Sequence, residues 1–356
     1  MKKLLTLLLA VLMVLSLAAC GSKEETTTGP KTVKIGVAIY QFDDNFMTVY
    51  RGKIQEYFDN ISNDEVKYEL TIVDGANDVA TQTEQVNTFI SQGVDAMIVN
   101  LVQTSSDALA KAVEESGIPT VFINREIADY TYGDKTCYVG AFAGDSGTYQ
   151  GQLIYDCPEH GDLNGDGKVS YIMIMGDPEN SDAQYRTEYS IKYLTDNGVE
   201  VEELYKETGM WDQAKGQELV ASALSTHGDA VEVVFCNNDG MALGAYQAIQ
   251  AAGRTVGTDI YLVGVDALTE ACEMVLNGTM TGTVLNDAVG QANACCESVL
   301  TLLAGGTITE KVNYVPYTKV TTENAANYLT SLATNQTGRV ARFVQLFFIY
   351  KGDYYV

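Results

Sequence analysis

Residues 162–170 read Asp-Leu-Asn-Gly-Asp-Gly-Lys-Val-Ser, a spacing suited to a hard cation. Side-chain oxygens fall at Asp162, Asn164, Asp166 and Ser170, and Gly167 allows the sharp turn between them. Calcium takes about six to eight oxygens, and alternate positions on a tight loop bring them to one point. A complete helix–loop–helix calcium site would end on a bidentate Glu at its twelfth position. Here that position is Met173. Either the loop binds no metal, or an acid from elsewhere in the chain closes it.

A second set of polar residues follows the apolar runs. Asp43, Asp44, Asn45 and Phe46 come after Val33–Tyr40, and Asn100 ends Ala96–Asn100. Asn124, Arg125 and Glu126 follow Thr120–Asn124, while residues 176–182 and then Arg186 follow Val169–Met175. Asn237, Asn238 and Asp239 follow Val231–Cys236, Asp266 ends Tyr261–Val265, and Asn286 and Asp287 end Thr281–Leu285. Any one of these alone reads as a helix N-cap, where Asp and Asn are preferred. Seven strand ends supplying them together describe a cleft lined with hydroxyl-binding groups and one cation.

Catalytic patterns are missing. Asp43 and Asp44 are adjacent, so they cannot face each other across a glycosidic bond as hydrolysis requires. The two histidines, His160 and His227, stand in no catalytic pattern, and there is no nucleophile elbow or phosphate-binding loop. An enzyme is not expected.

The elements that must hold these residues alternate. Strands are expected at Val33–Tyr40, Tyr68–Val73, Ala96–Asn100, Thr120–Asn124, Val169–Met175, Val231–Cys236, Tyr261–Val265 and Thr281–Leu285. Helices are expected between them, among them 45–58, 79–92 and 107–115. The runs are apolar on consecutive residues, as in strands covered on both faces. Such alternation gives doubly wound parallel α/β sheets, and this many strands divide into two lobes with a cleft. Ligands bind beyond the carboxyl ends of such strands, where the polar residues lie.

The chain opens with Lys2 and Lys3, then an apolar run from Leu4 to Ala19, ending Leu17-Ala18-Ala19-Cys20. The run is shorter than the about 20 residues of a membrane span and has the form of a lipoprotein signal, with Cys20 the lipidated residue. Residues 21–32 are a polar tether. The expected localisation is therefore extracytoplasmic, lipid-anchored to the cell membrane. Net charge is −25, and losing residues 1–19 removes two lysines and no acid. Nucleic acid and anionic membrane surfaces are thereby excluded as partners. A sugar-responsive transcription regulator would need a basic DNA-binding segment at the N-terminus, where the signal stands. Besides Cys20, cysteines occur at 137, 157, 236, 272, 295 and 296 without zinc spacing. Most lie in apolar patterns, so buried free thiols are expected, with disulfides the alternative.

Six strings point to a family: Ile39-Tyr40-Gln41-Phe42-Asp43-Asp44-Asn45-Phe46-Met47, Asn100-Leu101-Val102, Met210-Trp211-Asp212, Asn237-Asn238-Asp239, Gly264-Val265-Asp266-Ala267-Leu268 and Gly282-Thr283-Val284-Leu285-Asn286-Asp287. In this order, over residues 33–322, they resemble the periplasmic galactose/glucose-binding proteins. The resemblance implies a type I periplasmic binding protein fold, two lobes joined by three hinge crossovers. Lobe boundaries are expected at 33–127 plus 287–314 and at 128–286 plus 315–336. It implies a monosaccharide site of Asp44, Phe46, Asn100, Asn180, Asp182, Arg186, Trp211, Asn238, Asp266 and Asn286. Phe46 and Trp211 would cover the two faces of the sugar; without the resemblance Trp211 reads as a core residue. Asp44 would meet the C4 hydroxyl and accept from either epimer, so glucose and galactose would both fit. The family has His where Asn180 stands, which leaves the hexose preference open.

The resemblance also implies a structural Ca²⁺, with Glu232 as the remote acid and Asp162, Asn164, Asp166, the Lys168 carbonyl and Ser170 as the other ligands. Ser170 is shorter than the family's usual Gln. The implied function is capture of D-galactose or D-glucose, as a monomer, for delivery to an ABC permease in the membrane. A chemoreceptor is a further partner it allows. Residues 337–356, apolar and mildly basic, depart from the family pattern and carry no assigned function.

Overall fold

A computed structural model describes residues 29–103, 108–127 and 129–332. The lipoprotein signal with Cys20, most of the tether and the atypical tail lie outside the described residues.

In the first half, strands β1 (Lys31–Ile39), β2 (Val66–Asp74), β3 (Ala96–Val99), β4 (Thr120–Ile123) and β5 (Thr136–Gly140) alternate with helices α1 (Asn45–Ile61), α2 (Val79–Gln92) and α3 (Ala108–Ser116). The second half continues through α4 (Ala143–Tyr155), β6 (Lys168–Met175), α5 (Ser181–Asp196), β7 (Glu200–Thr208), α6 (Gln213–His227), β8 (Val233–Cys236), α7 (Asp239–Ala251), β9 (Tyr261–Val263) and α8 (Thr269–Leu276). It ends with β10 (Thr283–Leu285), α9 (Ala288–Leu303), β11 (Val312–Tyr314), β12 (Thr318–Val320) and α10 (Ala326–Leu332).

One parallel sheet runs β11-β5-β4-β3-β1-β2 and another β7-β6-β8-β9. β10 and β12 pair antiparallel, so parallel pairing is not universal as the alternation suggested. β10 abuts the second sheet, and Val263 bridges Gly282. All four residues of β3, β4 and β8 are buried, and β1 is buried from Ile35 to Ile39. Helices cover both faces, so a strand with a polar side chain on either face would strand that group without water.

The chain crosses between sheets three times: from β5 to α4, from β10 to α9, and from β11 to β12. α9 packs on α1 and on β3–β5, which returns it to the first lobe. The first lobe extends past the boundary expected at residue 127. β5 pairs with β4, residue Thr120 opposite Thr136 through Ile123 opposite Val139, so this sheet runs to Gly140.

Helix starts are chemically marked. Asp44, Asp78, Asn180, Asp212, Asn238 and Asp287 each accept a hydrogen bond from a backbone N–H in the first turn of the helix that follows. Several of these caps sit at strand ends, where both sheets open toward each other.

Candidate functional site

Between the two sheets lies a closed cleft with a cavity of about 30 Å³. The first lobe supplies Asp44, Phe46, Asn124 and Arg125, together with Tyr40 from the end of β1. The second supplies Asn180, Asp182, Arg186, Trp211, Asn238 and Asp266, and Asn286 enters from the β10–α9 crossover. Nine of the ten expected binding residues therefore share one hollow.

Asn100 does not line it. Its side chain is fully buried behind the wall, accepting from Tyr40 N–H and donating to the Ile123 carbonyl and to Asn124 Oδ1. It holds Asn124, which does line the cavity. Tyr40 was missed as a wall residue, whereas Asn124 and Arg125 were read as strand-end cleft residues but not placed in the monosaccharide site. Asn124 and Arg125 carried a signal in their place after β4; Tyr40 sits inside the apolar run and carried none.

Much of the wall's hydrogen-bonding capacity is set by helix capping. Asp44 accepts from Met47 N–H through Oδ1 and from the Tyr40 hydroxyl through Oδ2, at 2.7 and 2.6 Å. Asn180 accepts from Asp182 N–H through Oδ1, which leaves Nδ2 to donate. Asn238 accepts from Met241 N–H and donates to the Trp211 carbonyl. A cap and a ligand contact are thus not competing roles here. The cap fixes the rotamer, and the remaining donor or acceptor is presented in one direction.

Arg186 is the centre of charge. It donates to the Asn237 carbonyl at 2.8 Å, to the Tyr317 hydroxyl at 3.0 Å and to Asp182 at 3.2 Å. Burial alone would lower its pKa, but Tyr317, Asp182 and Asp266 more than offset that and raise it. Burial raises the carboxyls of Asp182 and Asp266, with Arg186 opposing in both, and Asp239 and Asp44 push Asp266 further up. Arg186 Nε and Trp211 Nε1 are buried donors with no protein partner among the described residues. Such donors favour a ligand that can accept. Across the cleft, Arg125 stacks on the Tyr40 ring at 3.5 Å and stands 3.7 Å from Asp177 of the other lobe. Closed lobes therefore bring a cation of one to a carboxylate of the other.

Three wall residues have left-handed backbones: Asn124 at φ 62°, Trp211 at 65° and Asp266 at 126°. Non-glycine residues avoid this region at a cost of roughly 1–3 kcal/mol each. Strain of this kind collects where side chains must point in one direction.

The 162–170 loop is arranged differently. Asp162 accepts from Gly165 and Gly167 N–H, Asn164 from Asp166 N–H, and Asp166 from Lys168 N–H. Glu232, buried, arrives from the segment before β8 and accepts from Leu163, Asn164 and Ser170 N–H at 2.7, 2.9 and 2.8 Å. Its expected place beside the loop is observed. Among the described residues no group of three or more His, Cys, Asp or Glu side chains forms a metal cluster. The six cysteines outside the signal segment are free thiols, five of them buried. Among the described residues no helix is long and apolar enough to cross a membrane.

A strand-end cavity that two lobes close around, walled by fixed hydrogen-bonding groups, has the form of a ligand-capturing site of the bilobal α/β kind. The chain belongs to the periplasmic binding protein domain family, whose profile matches residues 35–307. It is a substrate-binding protein of the sugar ABC-transport class and not an enzyme. It is 35% identical over 311 residues to the D-galactose/methyl-galactoside binding periplasmic protein of Haemophilus influenzae, covering 83% of this chain and 92% of that one. It is 34% identical over 305 residues to a putative rhizopine-binding protein of Rhizobium meliloti, covering 85% and 94%. Among solved structures, an ABC transporter solute-binding protein of Bacillus halodurans with bound myo-inositol is 29% identical, with a TM-score of 0.73 over 85% of this chain and 99% of that one.

Proposed function

We propose that the chain captures D-galactose or D-glucose between its lobes, as a lipid-anchored monomer outside the cytoplasmic membrane, and delivers it to an ABC permease. The observation that carries this reading is the convergence of Asp44, Asp182, Arg186, Asn238, Asp266 and Asn286 with Phe46 and Trp211 in one hollow. A pyranose ring presents hydroxyls that both donate and accept, and apolar C–H faces. Carboxylates accept, Arg and Asn donate, and the two aromatic rings cover the faces. Water leaves those groups as the lobes shut, and closure is favoured only by contacts made on both sides.

One observation favours a cyclic polyol as a second reading. Asn180 stands where the galactose branch has His, and its Oδ1 is already used on Asp182 N–H. Among the similar proteins, one is named as a putative rhizopine-binding protein and one was solved with bound myo-inositol. Calorimetry with D-galactose, D-glucose, D-ribose and myo-inositol separates these. Tightest binding of a hexose is expected; tightest binding of myo-inositol would replace the hexose reading with the polyol one.

The 162–170 loop is proposed to hold a structural Ca²⁺. Asp162, Asp166 and Glu232 would supply three carboxylates, with Asn164, the Lys168 carbonyl and Ser170, by turning from the backbone N–H groups they now accept from toward the ion. No basic side chain neutralises them, since the Lys168 ammonium is turned to Glu202. An all-oxygen anionic set suits calcium. The ion would pin loop to strand and take no part in sugar contacts.

A further inference from the structure

We infer that Asp239 is a positioning residue for sugar capture: its buried carboxyl group holds the left-handed turn that aims Asp266 into the cavity. This rests on the proposed sugar site, because it assumes that Asp266 meets the ligand. Asp239 opens α7 and is fully buried beneath the 266–268 turn. Its Oδ2 accepts from Leu268 N–H at 2.9 Å, and its Oδ1 accepts from the Thr283 hydroxyl at 2.7 Å. Its own N–H donates to the Val265 carbonyl at 2.7 Å. One residue thus ties the strand before the turn, the residue after it, and neighbouring β10.

The turn needs such a tie. Asp266 and Ala267 are consecutive non-glycine residues at φ 126° and 53°. Left-handed backbone persists only where surroundings impose it. Asp266 N–H is satisfied by the Val284 carbonyl, which anchors the entry to the turn. The exit is held by Asp239, directly at Leu268 and through the Thr283 hydroxyl beside Ala267 N–H, with the Cys272 thiol donating to the Ala267 carbonyl. Gly264 completes the arrangement, because a Cβ there would collide with Asp239 Oδ1. A carboxyl group is not simply tolerated at this place: the backbone is cut away to admit it.

Asp239 does not line the cavity, so its effect on a ligand must pass through the turn. Asp239→Asn keeps an acceptor for Leu268 N–H, and the Thr283 hydroxyl can rotate to accept instead of donate. Asp239→Ala removes both. The test is calorimetry of wild type and both variants with D-galactose, D-glucose and myo-inositol, together with crystal structures of the variants. Asp239→Asn is expected within about threefold of wild-type affinity. Asp239→Ala is expected to lose tenfold or more, with φ at Asp266 relaxed to negative values. An unchanged turn in Asp239→Ala, or unchanged affinity, overturns the inference. If no sugar binds wild type, the functional reading falls, yet the turn geometry still decides the positioning claim. Should Asp239→Ala fail to fold, Thr283→Val removes one tie at constant shape; about threefold weaker binding or a shifted Ala267 supports the inference, and neither overturns it.

Discussion

The cavity and the 162–170 loop both gather oxygen atoms, but they are assembled in opposite ways. The loop draws all but one of its groups from nine consecutive residues, and those groups turn inward onto the loop's own amides. The cavity draws single residues from positions 40 to 286, most at strand ends or crossovers and Arg186 from within α5, and aims them across a gap between lobes. A local motif can fold around itself whether or not a ligand comes. A convergent wall has no internal partner for its leftover donors and acceptors, so it is committed to a ligand. Removing a group from the cavity should therefore cost binding, and removing one from the loop should cost stability.

Arg186→Ala tests the cavity side most severely. It strips the cation from between the buried carboxylates of Asp182 and Asp266. Removing one partner of a buried pair typically costs about 3–5 kcal/mol of stability. Sugar binding should vanish from calorimetry as well. Lys168→Ala, which removes an exposed partner of Glu202, should change neither melting temperature nor affinity. Arg186→Ala binding as wild type does would remove the site assignment.

Glu232→Ala tests the loop side. Three backbone donors, at Leu163, Asn164 and Ser170, would lose their acceptor. A buried donor left unsatisfied costs about 1–3 kcal/mol. Thermal unfolding should fall by several degrees while hexose affinity stays within about threefold. Chelation should lower the melting temperature of wild type and leave that of Glu232→Ala alone. Loss of affinity in parallel with stability would break the contrast, since β8 leads from Glu232 to Asn238.

The two regions also differ in what the sequence alone discloses. The loop's tight turn was legible in its Asp, Asn and Gly spacing, whereas the place of Glu232 beside it came only with the family resemblance. The cavity was legible only as a set of strand ends, and Asn100 shows the limit: a polar residue ending a strand can face the wall's back as well as its front. Tyr40 shows the converse, a wall residue hidden within an apolar run. Strands β3, β4, β6 and β8, and β1 from Ile35 on, were legible because they are buried on both faces. β7 was not, since as an edge strand it is largely exposed and polar along its length. β5, Thr-Cys-Tyr-Val-Gly, and the three-residue β11 present no continuous Val/Ile-rich run, and pairing with β4 and with each other makes them strands.

Asn180→His sharpens the comparison within the cavity wall. The substitution restores the side chain usual in the galactose branch but removes the Oδ1 that caps α5. Losing the cap should cost about 1 kcal/mol of stability. The ratio of galactose to myo-inositol affinity should rise about tenfold, within the roughly 1–3 kcal/mol that one pocket contact discriminates. An unchanged ratio on competition calorimetry would mean that residue 180 does not read the ligand.

The smallest expected effect comes from pH, and it marks the point where binding wall and structural support meet. Burial pushes the Asp239 carboxyl up to about 7, with the Thr283 hydroxyl, the Leu268 and Ala267 amides and Arg186 opposing. Asp266 faces it as a second buried carboxyl that is also raised, and the Cys236 and Cys272 thiols beside it are pushed up in turn. A carboxyl whose folded pKa exceeds its unfolded value near 3.8 favours the fold most when protonated. Its stabilising contribution is complete below that unfolded value and is lost as pH rises through about 7. Carboxyls that are lowered, such as Asp78 through its bond with Thr81, act in the opposite sense only near pH 4 and below. Sugar-free protein should therefore melt higher at pH 6 than at pH 8, by about 1 kcal/mol. Asp239→Asn, which cannot titrate, should flatten most of that difference. A wild-type melting temperature that rises from pH 6 to pH 8 would show that Asp239 is held ionised, with Arg186 outweighing burial, and that the turn is supported by a charge and not by a neutral acid.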